Sequence, residues 1–143
     1  MNGDSRKAIY GAYADRYKES LDHVRHVYLK IALATDMSEH EANEQVTGLL
    51  DSWREPTEVL ETAESAVNTE GPEAVARSAR SASRALTHFG TVVLESITTN
   101  KGMREIHVEA AKEAYGPTYR AYLEFLYAAA ESLGEDDFLR LRS

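Results

Sequence analysis

Four side chains that can bind an anion recur at helical spacing in the middle of the chain. Arg77, Arg80, Arg84 and His88 follow one another at steps of three, four and four residues, so a helix carries them all on one face. Guanidinium groups bind carboxylates and phosphates through charge-assisted hydrogen bonds. The row is a candidate site for an anion or an acidic partner. The interpretation that we favour is a solvated face that pairs with acidic side chains of a neighbouring helix, where each exposed pair contributes about 0–1 kcal/mol.

His88 also suggests a chemical role, because histidine is one of the side chains that form covalent intermediates. A histidine that accepts a phosphoryl group must be accessible and must lie near a small residue and a cation. Gly90 and Arg84 are close enough in the sequence to serve. The lysine-glycine pair usually expected just after such a histidine is missing. Phosphotransfer through His88 is therefore the third of three functional hypotheses.

Glu19, His23 and His26 lie on one outer face of the first predicted helix and form a weak candidate metal site. Histidines three residues apart can share a metal ion when a carboxylate joins them. The alternative is that these imidazoles only titrate on the surface. The chain has no cysteine, and its sequence has no glycine-rich phosphate loop and no Glu-x-x-His unit of a diiron bundle. We expect no cofactor and no enzymatic activity.

The tyrosines fall into two groups, at residues 10–28 and 115–127. If the two helices that carry them are antiparallel neighbours, the groups lie level with each other. Buried tyrosine hydroxyls need hydrogen-bond partners. Three interpretations of this seam are open: plain packing with the hydroxyls reaching solvent at the rim, an oligomer interface, or a ligand pocket. The pocket would take a small aromatic or anionic ligand between the first and fourth helices, against Tyr10, Tyr17, Tyr119 and Tyr122.

Apolar side chains on these two helices extend beyond a single stripe. Contiguous exposed apolar surface usually marks a contact with another chain, although a wider core stripe is also compatible with the pattern. We expect a self-contact, in the form of a homodimer, through Tyr13, Leu29, Leu33, Phe125 and Tyr127.

The element that organises the chain is the helix around residues 10–31. Its apolar residues alternate at steps of four and three, which is typical of a helix packed against partner helices: Tyr10, Ala14, Tyr17, Leu21, Val24, Tyr28 and Ile31. A capping box at Ser38 and Glu41 predicts the start of the second helix. The apolar phase continues through Pro56, which predicts one kinked helix there.

The third and fourth helices keep the same spacing. Gly71-Pro72 separates the second helix from the third, Gly116-Pro117 predicts a kink or a short break in the fourth, and Gly134 ends it. The sequence predicts an all-α fold, an antiparallel up-down-up-down four-helix bundle over residues 1–134, with helix 1 beside helices 2 and 4. Residues 135–143 are expected to form a C-terminal tail with apolar hooks at Phe138, Leu139 and Leu141.

The formal net charge of −8 argues against nucleic acid as a main partner. The sequence contains no run of eighteen apolar residues, so we expect no membrane partner. The absence of cysteine fits a cytoplasmic location. The favoured function is a non-enzymatic bundle that acts through protein-protein contact, by self-assembly or as an adaptor. The alternative is a sensory or carrier bundle that binds a small ligand.

Overall fold

A computed structural model describes the backbone of residues 3–33, 38–98, 101–135 and 137–142. It also describes their side-chain surroundings, apart from residues 3, 31–33, 39, 42, 43, 45, 46, 97, 98, 101–108 and 141. Four long helices pack against one another, and a short fifth helix follows. They are α1 (Gly3–Leu33), α2 (Glu39–Glu70), α3 (Glu73–Thr98), α4 (Lys101–Leu133) and α5 (Asp137–Arg142). The described residues contain no strand. The predicted four-helix bundle is confirmed.

Helix α1 packs beside α2 and α4, as predicted, and α3 packs beside α2 and α4. Helices α1 and α4 are antiparallel. The ring of Tyr17 stacks on that of Tyr122, whereas the guanidinium of Arg25, two turns further along α1, lies over Tyr115, two turns earlier in α4. This register fixes which side chains of the two helices lie level with each other.

The helix boundaries follow local signals in the sequence. The Ser38 hydroxyl accepts a hydrogen bond from the Glu41 amide at 3.1 Å, which caps α2. The Gly71 amide donates to the Val67 carbonyl at 2.8 Å and ends that helix. Gly134 has φ +68°, a conformation that glycine adopts without a steric penalty, and the Glu135 amide closes α4 on the Ala130 carbonyl.

Both interior prolines lie within uninterrupted helices. Helix α2 continues through Pro56, so the prediction of a single helix holds there, and α4 continues through Gly116 and Pro117 rather than breaking. A proline removes one backbone hydrogen bond and crowds the carbonyl four residues earlier. The kink expected at each position remains a prediction.

The apolar seam of α1 is the centre of the core, and its residues from Tyr10 to Val24 are fully or almost fully buried. A second buried row runs beside it at seven-residue intervals: Tyr13, Ser20 and Val27. The opposite wall is the small-residue segment of α3, where Ala79 and Ala82 are fully buried. Because these side chains are short, the tyrosines of α1 reach the backbone of α3.

The predicted tail contains a folded element. Helix α5 inserts Phe138 into the core, where its fully buried ring meets Tyr10 edge-to-face at a centroid distance of 6.4 Å. The Arg142 guanidinium lies over the Phe138 ring and beside Gly11 of α1. The Tyr122 hydroxyl donates to the Arg142 carbonyl at 3.2 Å. Of the predicted hooks, Leu139 is partly buried against the core, and the side chain of Leu141 lies outside the described residues.

Candidate functional site

The tyrosines of α1 and α4 form a packed aromatic cluster. Tyr17 and Tyr122 stack with a centroid distance of 5.4 Å and an interplanar angle of 6°. Tyr13 meets Phe125 edge-to-face at 4.7 Å, and Tyr119 lies 6.1 Å from Tyr122. Contacts of this kind contribute about 0.5–1.5 kcal/mol each beyond the burial of their area.

The buried hydroxyls of this cluster donate to main-chain oxygens. Tyr13 donates to the Ala79 carbonyl at 2.7 Å. Tyr17 shares its one hydrogen between the Ala82 carbonyl of α3 and the Thr118 carbonyl of α4, both at 3.0 Å, and so joins three helices. Burial raises the pKa of Tyr122 to about 12 and raises the pKa values of Tyr13 and Tyr17 further.

This packing does not favour the predicted ligand pocket between α1 and α4, which remains a prediction. Tyr10, Tyr17 and Tyr122 are fully or almost fully buried, and Tyr119 is partly buried. Their rings contact aromatic neighbours within the cluster, so a ligand would have to displace packed side chains. Three of the four hydroxyls already have partners within the protein: Tyr10 pairs with the Ser132 hydroxyl, Tyr17 with carbonyls of α3 and α4, and Tyr122 with a carbonyl of α5.

The predicted self-contact residues separate into three groups. Tyr13 and Phe125 are fully buried, which corrects their assignment to a contact surface, because a third position of each heptad also faces the core. Leu29 and Tyr127 are 42% and 62% exposed. The side chain of Leu33 lies outside the described residues.

Leu29 and Tyr127 do not belong to one patch. Because Arg25 lies over Tyr115, Leu29 is level with the part of α4 one turn earlier, near Ala111. That level is sixteen residues from Tyr127, or about 24 Å along a helix axis at 1.5 Å per residue.

Tyr127 instead lies in a stripe along the outer face of α4. This α4 stripe consists of four exposed residues at steps of four, three and four: Arg120, Glu124, Tyr127 and Glu131. Within the described residues, the three charged members of the stripe take part in no ion pair. The stripe therefore presents an aromatic ring between charged side chains that are free to pair with another molecule.

The basic row of α3 is divided between two environments. Arg80 donates to Glu73 at 2.7 Å and to Asn68 at 3.4 Å. Arg77 lies 4.0 Å from the same Glu73. Arg84 and His88 are exposed, and within the described chain Arg84 has no ion-pair partner.

Arg80 and Arg84 also line a cleft between α2 and α3 that the sequence did not reveal. This α2–α3 cleft has a volume of about 450 Å³, and its walls are Thr57, Leu60, Glu61 and Glu64 of α2 and Arg80, Ser83, Arg84 and Thr87 of α3. The sequence does show that Thr57, Glu61 and Glu64 share one face of α2, because they are four and three residues apart. It does not show which residues of α3 lie opposite them.

His88 is exposed on α3, but Gly90 does not leave open space beside it. A Cβ atom at Gly90 would overlap the Trp53 indole of α2, so the glycine allows two helices to approach closely. The small residue on which the phosphotransfer hypothesis depended thus has a packing role, and phosphotransfer through His88 remains without structural support.

The residues of the weak metal candidate have other partners. Glu19 binds Arg16 at 3.1 Å, and His23 Nε2 lies 2.8 Å from the Ser52 hydroxyl. Burial lowers the pKa of His23, and the nearby His26 and Lys30 lower it further. Among the residues with described side chains, no three His, Asp or Glu residues are grouped as metal ligands. The structure therefore gives the weak metal candidate no support.

Comparison of the chain with protein-family models, with curated proteins and with solved structures finds no match. Over the described part of the chain, no helix has both the length and the apolar character that crossing a membrane requires.

Proposed function

We propose that this protein is a non-enzymatic helical bundle that acts through protein-protein contact, and that one of its partners is a second copy of itself. The observation that supports this is the α4 stripe, in which Tyr127 is the most exposed of the large apolar side chains that the structure describes. Tyrosine and arginine are enriched in protein interfaces and supply many of their strongest contacts.

The order of charges along the α4 stripe favours an antiparallel pairing of two copies. Arg120 is at one end and Glu131 at the other. In a two-fold dimer the same surface patch is used by both subunits. A two-fold axis between Glu124 and Tyr127 would place each Arg120 opposite Glu131 of the other copy, and each Tyr127 against the other helix.

Such a dimer would be weak and dependent on concentration. Stable interfaces bury about 1,200–2,000 Å² in total, and one helix face from each copy supplies the lower end of that range or less. The net charge of −8 favours a basic protein as any further partner and disfavours nucleic acid. The cysteine-free composition supports a cytoplasmic location.

Light scattering over a concentration series tests the proposal. The mass should rise from 15.9 kDa towards twice that value, and Tyr127→Ala should keep the protein monomeric. Arg120→Glu and Glu131→Arg should each weaken the dimer, and the double variant should restore it. Leu50→Ala is the matched control, because Leu50 is also about half exposed but lies on α2. A wild-type protein that stays monomeric throughout would overturn the proposal.

A further inference from the structure

The α2–α3 cleft carries opposite charges on its two walls. Glu61 and Glu64 line it from α2, and Arg80 and Arg84 line it from α3. Arg80 is already bound to Glu73. Within the described chain, Glu61, Glu64 and Arg84 have no ion-pair partner, so charges of both signs remain available in one small space.

The hydroxyl groups of the cleft can act only as acceptors towards a ligand. A hydroxyl has one hydrogen and two lone pairs. Thr57 donates its hydrogen to the Trp53 carbonyl at 2.7 Å, and Thr87 donates its hydrogen to the Ser83 carbonyl at 3.0 Å. Only the lone pairs of these two hydroxyls remain available to a ligand.

The hydrogen of the third hydroxyl, that of Ser83, is also already donated within the protein. Its oxygen lies 2.7 Å from the Tyr13 hydroxyl. Tyr13 gives its only hydrogen to the Ala79 carbonyl at 2.7 Å. Ser83 is therefore the donor to Tyr13, and its two lone pairs are available to the cleft.

These assignments divide the polar groups that line the cleft into acceptors and donors. Two carboxylates and three hydroxyl oxygens can only accept hydrogen bonds, which suits an ammonium group with its three donors. The Arg84 guanidinium can only donate, which suits a carboxylate. Leu60, almost fully buried at the cleft, supplies an apolar contact.

We propose that the α2–α3 cleft binds a small zwitterion with an ammonium group and a carboxylate, the chemistry of a free amino acid. The ammonium lies against Glu61, Glu64 and the hydroxyl oxygens, and the carboxylate binds Arg84. The cleft volume of about 450 Å³ is adequate for such a molecule and lies within the usual range of ligand pockets, about 300–1,000 Å³. This site is separate from the α4 stripe and does not depend on self-association.

The test is a titration followed by amide NMR shifts of the whole protein, with three zwitterionic probes: glycine, 4-aminobutanoate and 6-aminohexanoate. At least one of them should shift the amides of residues 57–64 and 80–87. Butylamine carries the ammonium alone and butanoate the carboxylate alone, and each should bind about tenfold more weakly or worse because one charge-assisted contact is lost.

Two variants assign the contacts. Arg84→Gln and Glu64→Gln should each reduce the affinity for the zwitterion by about tenfold. Arg77→Gln is the matched control, because Arg77 is an exposed arginine of α3 that does not line the cleft. These substitutions change partly or fully exposed side chains, and an unchanged spectrum elsewhere will confirm the fold.

Three results would overturn the proposal. The first is the absence of shifts with all three zwitterions. The second is an equal response to butanoate, which would identify a simple anion site. The third is that Arg77→Gln weakens binding as much as Arg84→Gln does.

Discussion

The indole of Trp53 in α2 lies directly against the backbone of Gly90 in α3, in the space that any side chain at position 90 would occupy. The Trp53 ring is only partly buried, so the contact seals one edge of the interface between the two helices. A glycine inside a helix costs about 0.5–1 kcal/mol relative to alanine. At Gly90 that cost is offset by the approach of the indole.

We expect Gly90→Ala to destabilise the protein by about 1–3 kcal/mol, because the new methyl group overlaps the indole and forces it outward. Urea unfolding followed by the fluorescence of the only tryptophan measures both effects. Gly48→Ala is the control: a Cβ atom there meets nothing within 4 Å, so this change should stabilise α2 by about 0.5–1 kcal/mol. Equal effects at both positions would argue against the Trp53 contact.

The Tyr17 hydroxyl should contribute about 0.5–1.5 kcal/mol, the usual net value of a buried hydrogen bond. Tyr17→Phe keeps the ring stacked on Tyr122 and removes only the bonds to α3 and α4. Thermal unfolding should show the loss. Tyr127→Phe, which changes an exposed hydroxyl, should have no measurable effect. If Tyr17→Phe left the thermal unfolding unchanged, these bonds would add nothing to stability.

Stability should fall at alkaline pH. Tyr122 has a pKa of about 12 in the folded protein, and Tyr13 and Tyr17 are shifted further upward, whereas tyrosine in an unfolded chain titrates near pH 10. Above about pH 10 the unfolded state therefore binds fewer protons than the folded state, so the free energy of unfolding decreases as the pH rises.

Urea unfolding at about pH 9 and about pH 11 measures this loss. Tyr13→Phe should make it smaller, because one shifted group is removed. A free energy of unfolding that stays constant across this interval would contradict the burial of the three hydroxyls.

The phase of the apolar residues predicted the four helices, because helix packing repeats at a period that the sequence displays. The same pattern assigned Tyr13 and Phe125 to the surface. It assumed the two buried positions per heptad of a coiled coil, whereas here a third position is buried, as Tyr13, Ser20 and Val27 show. The tyrosine acceptors could not be predicted, since they are backbone carbonyls.

The α2–α3 cleft could not be predicted from the sequence, for a related reason. Arg80 and Arg84 were identified as an anion-binding face, but the residues opposite them depend on how far α3 is shifted along α2. The close contact of Trp53 with Gly90 belongs to that register, and it brings Glu61 and Glu64 to the arginines.

Phe138 should hold α5 on the bundle. Phe138→Ala removes the ring that meets Tyr10 and supports Arg142, and replacing a buried phenylalanine by alanine commonly costs about 3–5 kcal/mol. We expect the amides of α5 to lose protection in hydrogen exchange while those of the core helices keep most of theirs. Arg140→Ala, an exposed change within α5, is the control. Unchanged exchange in α5 would show that other contacts hold it.

The tyrosine bonds to α3 have a consequence for how this protein can diverge. Tyr13 and Tyr17 bind peptide oxygens, and the peptide group is the same whatever amino acid occupies positions 79 and 82. Only size is restricted there, so alanine, glycine or serine could be exchanged without removing the acceptor. Distant descendants of a common ancestor could thus keep this architecture while losing nearly all recognisable identity along α3.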